Sequence, residues 1–242
     1  MIQIDVVPLP RLLEPAQLTG RAVAVFDVLR ATTTMAYALS AGAKEVRLFD
    51  SLEAAKDAAA QFVGEKILCG ERQALRPAGF DLGNSPGEFI SPRVEGRTLF
   101  MATTNGTRAI VAASHAEILF AAALVNARAT AAALLANKLD VTLLCAGTNG
   151  EIAPEDRIGA GAVATAMQSL GKELRLGEET RQALQLFQQN RSNLLAALRA
   201  APGGQNCIAA GLGDDIEPAA KLDRFDLVIG VHRNPLIAHK LR

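Results

Sequence analysis

Ala22-Val23-Ala24-Val25-Phe26-Asp27-Val28-Leu29-Arg30-Ala31-Thr32-Thr33-Thr34 is an unbroken apolar run, then a short turn with one acid and one base, then three threonines. A run with no polar alternation has the character of a strand buried on both faces, and Thr32–Ser40 beyond it reads as a helix. The same unit recurs along the chain. Strand-like runs at Val46–Phe49, Lys66–Cys69, Thr98–Ala102, Glu117–Ala121, Val141–Cys145 and Leu227–Val231 are separated by helical stretches at Leu52–Val63, Gly106–Ser114 and Ala127–Ala136. Met1–Pro8 reads as a further short strand. Such alternation predicts an α/β fold with a largely parallel, or mixed, sheet covered by helices on both faces. Farther on, Ile158–Leu170 opens with small residues that suggest close packing on a neighbour, and Glu178–Arg199 reads as a surface helical pair.

Bulk composition agrees with one compact catalytic unit over residues 1–242, or two α/β lobes with the site between them. Half of the residues are apolar, enough for a large core, and that core is aliphatic because the chain has no Trp and a single Tyr, Tyr37. Lys and Arg balance Asp and Glu, which argues against a general nucleic-acid binder. Cys69, Cys145 and Cys207 form no C-x-x-C pair and are expected to be buried thiols. No secretory signal is apparent, and Asn126, Arg128, Asn137, Lys138 and Asp140 interrupt the longest apolar stretches, so no membrane span and a cytoplasmic location are expected.

Ligands of an open parallel sheet bind beyond the carboxyl ends of its strands, where this chain concentrates its polar residues. Ala22–Phe26 leads into Asp27 and Arg30, and Lys66–Cys69 into Gly70-Glu71-Arg72. Thr98–Ala102 leads into Thr103-Thr104-Asn105-Gly106-Thr107-Arg108, and Val141–Cys145 into Gly147-Thr148-Asn149-Gly150-Glu151, with Glu155 and Asp156 following. Thr32–Thr34 and Thr104–Thr107 each join hydroxyls to a helix start and an arginine, a combination suited to an anion. Threonine also caps helices with no ligand present, but two such turns, each with an arginine after a strand, favour anion binding. The acids Asp27, Glu71, Glu155 and Asp156, with Asp214 and Asp215 in reserve, suit Mg²⁺, which takes one or two carboxylates together with phosphate oxygens and water. His115, His232 and His239 lack ligand spacing for zinc.

The long connection Gly70–Pro92 has the mixed charges of an ordered functional loop. Within it Gly83-Asn84-Ser85-Pro86-Gly87 matches G-x-S-x-G. The match lies mid-loop, and Pro86 has no N–H for an oxyanion hole, so it reads as a turn. A phosphate loop of the G-x-x-x-x-G-K-[ST] type, a D-x-D pair at Asp27 and a C-x₅-R loop are all absent. Pro202–Gly213 is a second Gly-rich stretch. Thr104-Asn105-Gly106 and Thr148-Asn149-Gly150 echo each other, which shared turn chemistry accounts for as well as duplication does.

The segments Val25–Thr34, Cys69–Arg72, Gly83–Pro86, Thr103–Thr107, Asn126-Ala127, Cys145-Ala146-Gly147 and Glu155-Asp156, taken in order, resemble the 2-phosphosulfolactate phosphatase family. The resemblance implies a three-layer α/β/α architecture. It also implies Mg²⁺-dependent cleavage of 2-phospho-3-sulfolactate to 3-sulfolactate and phosphate, as in coenzyme M biosynthesis. Carried onto this chain, it makes Asp27 and Arg30 catalytic, with Asp27, Glu71 and Asp156 as metal ligands. Thr33, Thr104, Asn105, Gly106 and Thr107 would cradle the phosphate, while Arg72, Arg108, Asn84 and Ser85 would bind the rest of a small phosphorylated acid. The alternatives are a phosphatase for another phosphorylated 2-hydroxy acid and a non-catalytic sensor of a phosphometabolite. A homodimer is the prior for assembly.

Overall fold

A computed structural model describes residues 1–171 and 173–241. Its strands are β1 (Ile2–Val7), β2 (Arg21–Phe26), β3 (Glu45–Phe49), β4 (Lys66–Gly70), β5 (Thr98–Ala102), β6 (Ile118–Ala122), β7 (Asp140–Cys145), β8 (Leu174–Leu176), β9 (Ile229–His232) and β10 (Ile237–Lys240). The helices are α1 (Ala31–Ser40), α2 (Leu52–Gln61), α3 (Ser91–Val94), α4 (Gly106–Ala112), α5 (Ala127–Ala136), α6 (Pro154–Leu170), α7 (Glu178–Asn190), α8 (Leu194–Ala200), α9 (Pro202–Ala209) and α10 (Ile216–Ala219). The strands form one sheet in the order β4-β5-β3-β10-β9-β6-β2-β7-β1-β8.

Side chains on successive strand residues point to opposite faces, and here both faces are apolar. On β2, Val23 and Val25 join a core that also holds Met35 of α1 and Ile110 of α4. Ala22, Ala24 and Phe26 face the other way into a core with Leu134 of α5, Val163 of α6 and Phe187 of α7. On β5, Leu99 and Met101 extend the first core, while Phe100 and Ala102 meet α2 at Ala55 and Ala59. The result is the three-layer α/β/α arrangement with a mixed, largely parallel sheet. Burying the side chain of a residue such as Phe26 contributes about 1.5–3 kcal/mol, and many such terms hold the layers together.

Parallel pairing covers two blocks. One is β4-β5-β3 and the other is β6-β2-β7-β1-β8. Between them lie three antiparallel pairings, β3–β10, β10–β9 and β9–β6. Three reversals leave the two blocks running in opposite senses. The joint is narrow: Phe120↔Gly230 and Ala121↔Ile229 on one side, Ile237↔Arg47 and Ala238↔Val46 on the other.

The seven strands read from interior runs, the N-terminal strand, and the helices before residue 150 all form. The expected close packing of the small residues in α6 is present, since a Cβ on Gly161 would lie 2.1 Å from the Ala183 carbonyl oxygen of α7. Two features differ from expectation. Helix α6 begins at Pro154, four residues before Ile158, because Pro at the first helical position has the right φ and needs no N–H partner. That brings Glu155 and Asp156 into its first turn. The Gly-rich segment after Ala201 is helical, again opened by a proline, Pro202. Strands β8 and β10 are too short to show a period. The three cysteines are free and buried, as expected. Among the described residues no helix is long and apolar enough to cross a membrane.

Candidate active site

A cleft of ≈ 520 Å³ collects residues from the carboxyl ends of both strand blocks. Asp27 and Arg30 come from the β2–α1 turn, and Glu71, Arg72 and Asn84 from the long connection after β4. Thr104 and Asn105 come from the β5–α4 turn, and Thr148 and Asn149 follow β7. Helix α9 closes one wall with Gly203, Asn206 and Cys207. Both halves of the Thr-Asn-Gly echo therefore contribute to the same cavity.

Asp27 directly follows β2 and is almost wholly buried, its carboxylate accepting a 3.2 Å hydrogen bond from the Ala31 N–H at the start of α1. Burial pushes its pKa up to about 7. The Ala31 N–H and Arg30 oppose that rise, while the charges of Glu71 and Glu155 add to it. Gly106 fits against this carboxylate because it has no side chain. A Cβ there would lie 2.6 Å from both Asp27 Oδ2 and Ala31 Cβ. Glu71 is held by two backbone donors, Thr104 N–H at 2.6 Å on Oε1 and Ala74 N–H at 2.8 Å on Oε2.

Arg30 is buried and held by three acceptors. Its Nη1 donates to Asp215 Oδ2 at 2.6 Å and to Ser85 Oγ at 3.2 Å, while Nη2 donates to the Ala74 carbonyl oxygen. Ser85 in turn donates to Asp215 Oδ2 at 2.8 Å, so the G-x-S-x-G match is a turn locked to an acid, as its sequence context suggests. Asp215 is a partner of Arg30, not a member of the acidic wall.

Several expected contacts fall elsewhere. The Thr32, Thr33 and Thr34 hydroxyls are buried and donate to the backbone carbonyls of Asp27, Val28 and Asn84. Thr33 is thus turned away from the cleft. Thr107 is likewise buried, its hydroxyl donating to the Thr103 carbonyl and its N–H to Thr103 Oγ1. Arg108 is exposed and lines a smaller adjoining pocket of ≈ 90 Å³ with Asp50, Glu53, Glu71, Arg72 and Thr104. Arg72 borders both cavities and lies 3.5 Å from Glu53.

The neighbours Glu155 and Asp156 part company. Asp156 spends both oxygens on backbone donors, Oδ1 on Val28 N–H at 2.8 Å and Oδ2 on Gly147 N–H at 3.0 Å. It ties the β2 and β7 turns together and does not line the cleft. Burial raises its pKa, and the charges of Asp27 and Glu155 raise it further. Glu155 accepts from Gly203 N–H at 2.8 Å and from Thr148 Oγ1 at 3.3 Å, both on Oε1, and Oε2 is buried without a partner. Burial raises its pKa too, against these donors. The cleft-lining residues Thr148, Asn149, Asn206 and Cys207 have no sequence signal beyond the echo of one tripeptide.

Among the described residues no group of three or more His, Cys, Asp and Glu side chains converges on one point. Mg²⁺ needs fewer protein ligands, one or two carboxylates with water and phosphate completing the shell. Asp27 and Glu71 place negative charge at the cleft, with Glu155 behind its wall, while Arg30, the one buried arginine among the described residues, is paired with Asp215. Two buried acceptors, Glu155 Oε2 and Asn84 Oδ1, have no donor. Excess carboxylate and orphaned acceptor oxygens suit a hydrated divalent cation.

A cleft at strand ends with a buried high-pKa acid, a fixed arginine and carboxylates suited to a cation belongs to an α/β enzyme that handles an anionic substrate. The chain belongs to the 2-phosphosulpholactate phosphatase family, which matches residues 7–234. It is 41% identical over 218 residues to a protein of Parasynechococcus marenigrum (strain WH8102), covering 88% of this chain and 90% of the relative. It is 37% identical over 227 residues to one from Carboxydothermus hydrogenoformans, covering 94% and 92%. A Microcystis aeruginosa relative is 35% identical over 232 residues, covering 95% and 96%. Each carries the description "Probable 2-phosphosulfolactate phosphatase".

Proposed function

We propose that this protein is a Mg²⁺-dependent phosphatase that hydrolyses 2-phospho-3-sulfolactate to 3-sulfolactate and phosphate, the reaction type of coenzyme M biosynthesis. Family membership supports the reaction. The observation that carries the mechanism is Asp27, a buried carboxyl at the cleft with its pKa pushed up to about 7. A group of that pKa takes and returns a proton near neutral pH. That value belongs to the metal-free cleft, so Asp27 would act as base toward an attacking water only where it does not itself coordinate the ion.

Asp27 and Glu71 would hold Mg²⁺, which neutralises charge on the phosphoryl oxygens when bound. Arg30 lines the cleft and is fixed by three acceptors, so its charge would meet a phosphoryl group there without reorganisation. Thr104 and Asn105 line the wall beside it. Arg72, reaching both cavities, would take the substrate carboxylate, and Arg108, in the smaller one, the sulfonate. Asn84 shapes the floor.

The experiment is phosphate release from synthetic 2-phosphosulfolactate and from phospholactate, each with Mg²⁺ and with EDTA. Mg²⁺-dependent release favouring the sulfonate is the expected result. Equal release from both would leave a phosphatase for phosphorylated 2-hydroxy acids in general. Tight binding with no release from either would make the protein a sensor. A homodimer is expected, and light scattering on the purified protein checks it.

A further inference from the structure

We propose that Asp215, together with Ser85, is a positioning residue that holds Arg30 in place for the phosphoryl group. The inference rests on the phosphatase described above and concerns how its buried arginine is fixed. Asp215 stands just before α10, in the last third of the chain and outside every segment that carries the family resemblance. Neither it nor Ser85 lines the cleft, whereas Arg30 does. Any effect of the two on a bound substrate therefore passes through Arg30. The Arg30 side chain is 2% exposed and that of Asp215 10%. An arginine buried this deeply needs a counter-charge and acceptors, because an unpaired ion removed from water is strongly destabilising.

The contacts do more than balance charge. Asp215 Oδ2 accepts from Arg30 Nη1 at 2.6 Å and from the Ser85 hydroxyl at 2.8 Å, and Ser85 Oγ accepts from the same Nη1 at 3.2 Å. With its proton given to Asp215, the serine oxygen has only lone pairs left for the arginine. Nη2 is tethered separately, to the Ala74 carbonyl oxygen. Fixing both terminal nitrogens of a planar guanidinium fixes its orientation. Nε has no acceptor among the described residues, so the network leaves donor capacity of the kind that pairs with phosphoryl oxygens. The supports also come from separate parts of the fold. Arg30 follows β2, Ala74 and Ser85 follow β4 in the other strand block, and Asp215 follows α9. Thr34 of α1 closes the circuit, its hydroxyl donating to the Asn84 carbonyl at 2.8 Å beside Ser85. A loose guanidinium would have to be ordered at every turnover, and this network orders it beforehand.

The test joins phosphate release from 2-phosphosulfolactate with ¹⁵N NMR of the arginine side chains, for wild type, Asp215→Asn, Arg30→Met and the double variant. Asparagine keeps the shape and an acceptor and removes the charge, and thermal melts show which variants fold. In Asp215→Asn, kcat/KM should fall by roughly 10–100-fold, as misplacing a binding group does. In the Arg30→Met background the same change should cost less than about twofold, because nothing is left to place. The NMR comparison needs neither that background nor activity. Arg30 Nη1 and Nη2 should give separate signals in wild type, and Asp215→Asn should merge them. If Asp215→Asn does not fold, Ser85→Ala removes one acceptor and is carried through the same measurements. Equal losses in the two backgrounds, Arg30 signals unchanged by the substitution, or kcat/KM within about twofold of wild type in a folded variant would each overturn the proposal. No phosphate release by wild type, with the Arg30 signals separate there and merged in Asp215→Asn, would remove the phosphatase and keep the placement of the arginine.

Discussion

Thr104-Asn105-Gly106 and Thr148-Asn149-Gly150 are the same three residues after two different strands, and they fold differently. In the first, Gly106 opens α4 and lies tight against Asp27. In the second, Asn149 and Gly150 adopt positive φ, 54° and 82°, in a closed turn bridged between Thr148 and Glu151, and the helix starts only at Pro154. Each turn nevertheless steadies one carboxylate at the cleft or directly behind its wall: Thr104 through its N–H to Glu71, and Thr148 through its hydroxyl to Glu155. Identical residues can serve one purpose through unrelated geometry, so a repeated tripeptide is weak evidence for a repeated structure.

The largest effect is expected at the residue between the two turns. Asp27→Asn retains an acceptor for Ala31 N–H and should fold, yet phosphate release should fall at least about 100-fold, the lower end for a lost acid–base group. Release assays and a thermal melt together check it.

The glycines give the direct contrast. Gly106→Ala forces a methyl against Asp27 and Ala31 and should destabilise by about 1–3 kcal/mol, with activity falling beyond what unfolding accounts for. Gly150→Ala meets nothing within 4 Å and suffers only from its positive φ, about 1–2 kcal/mol, with the kcat of the folded fraction preserved. Equal losses of activity in the two would end the distinction between the turns.

Acidity sharpens the comparison further. The Asp27 pKa is raised from 3.8 to about 7, and those of Glu155 and Asp156 are raised as well. Folding therefore favours their protonated forms. The stability this provides is complete below the ordinary carboxylate range and is lost as pH rises through about 7. In EDTA, the unfolding free energy should fall between about pH 4 and pH 7, by up to about 1.4 kcal/mol per pH unit for each proton released, and Tm should fall with it. A Tm that climbs through that window would contradict the burial of these acids. The smallest effect belongs to Thr33→Val, which loses one buried hydrogen bond to the Val28 carbonyl. It should cost about 1 kcal/mol with kcat/KM within twofold of wild type.

The sheet was legible from β2 and its counterparts because an apolar run that ends in a polar turn suits a doubly covered strand and little else. The positions of Asp27 and Glu71 at the cleft were legible for the same reason, being the first acids beyond strand ends. The orientation of Thr33 and Thr107 was not legible, because a threonine at a helix start can face a ligand or its own backbone, and one methyl–hydroxyl rotation separates the two. Glu155 and Asp156 could not be ranked without the true start of α6, since adjacent helical residues point about 100° apart. The α9 wall carries no motif at all. Its place is fixed by packing against distant residues, as when Gly203 meets Glu155 across 48 positions.

The hairpin β9–β10 couples two oppositely directed strand blocks through a few backbone pairs, and all of its residues lie between Ile229 and Lys240. A nascent chain halted before Ile229 already contains Asp27, Glu71, Thr104 and Glu155, yet nothing stitches β6 to β3. Until the ribosome has delivered that hairpin, both strands present open edges to neighbouring chains. Closure of the sheet therefore waits until Ile229–Lys240 have been made, and a chain stalled or clipped before them is a candidate for aggregation before it is ever a candidate for catalysis.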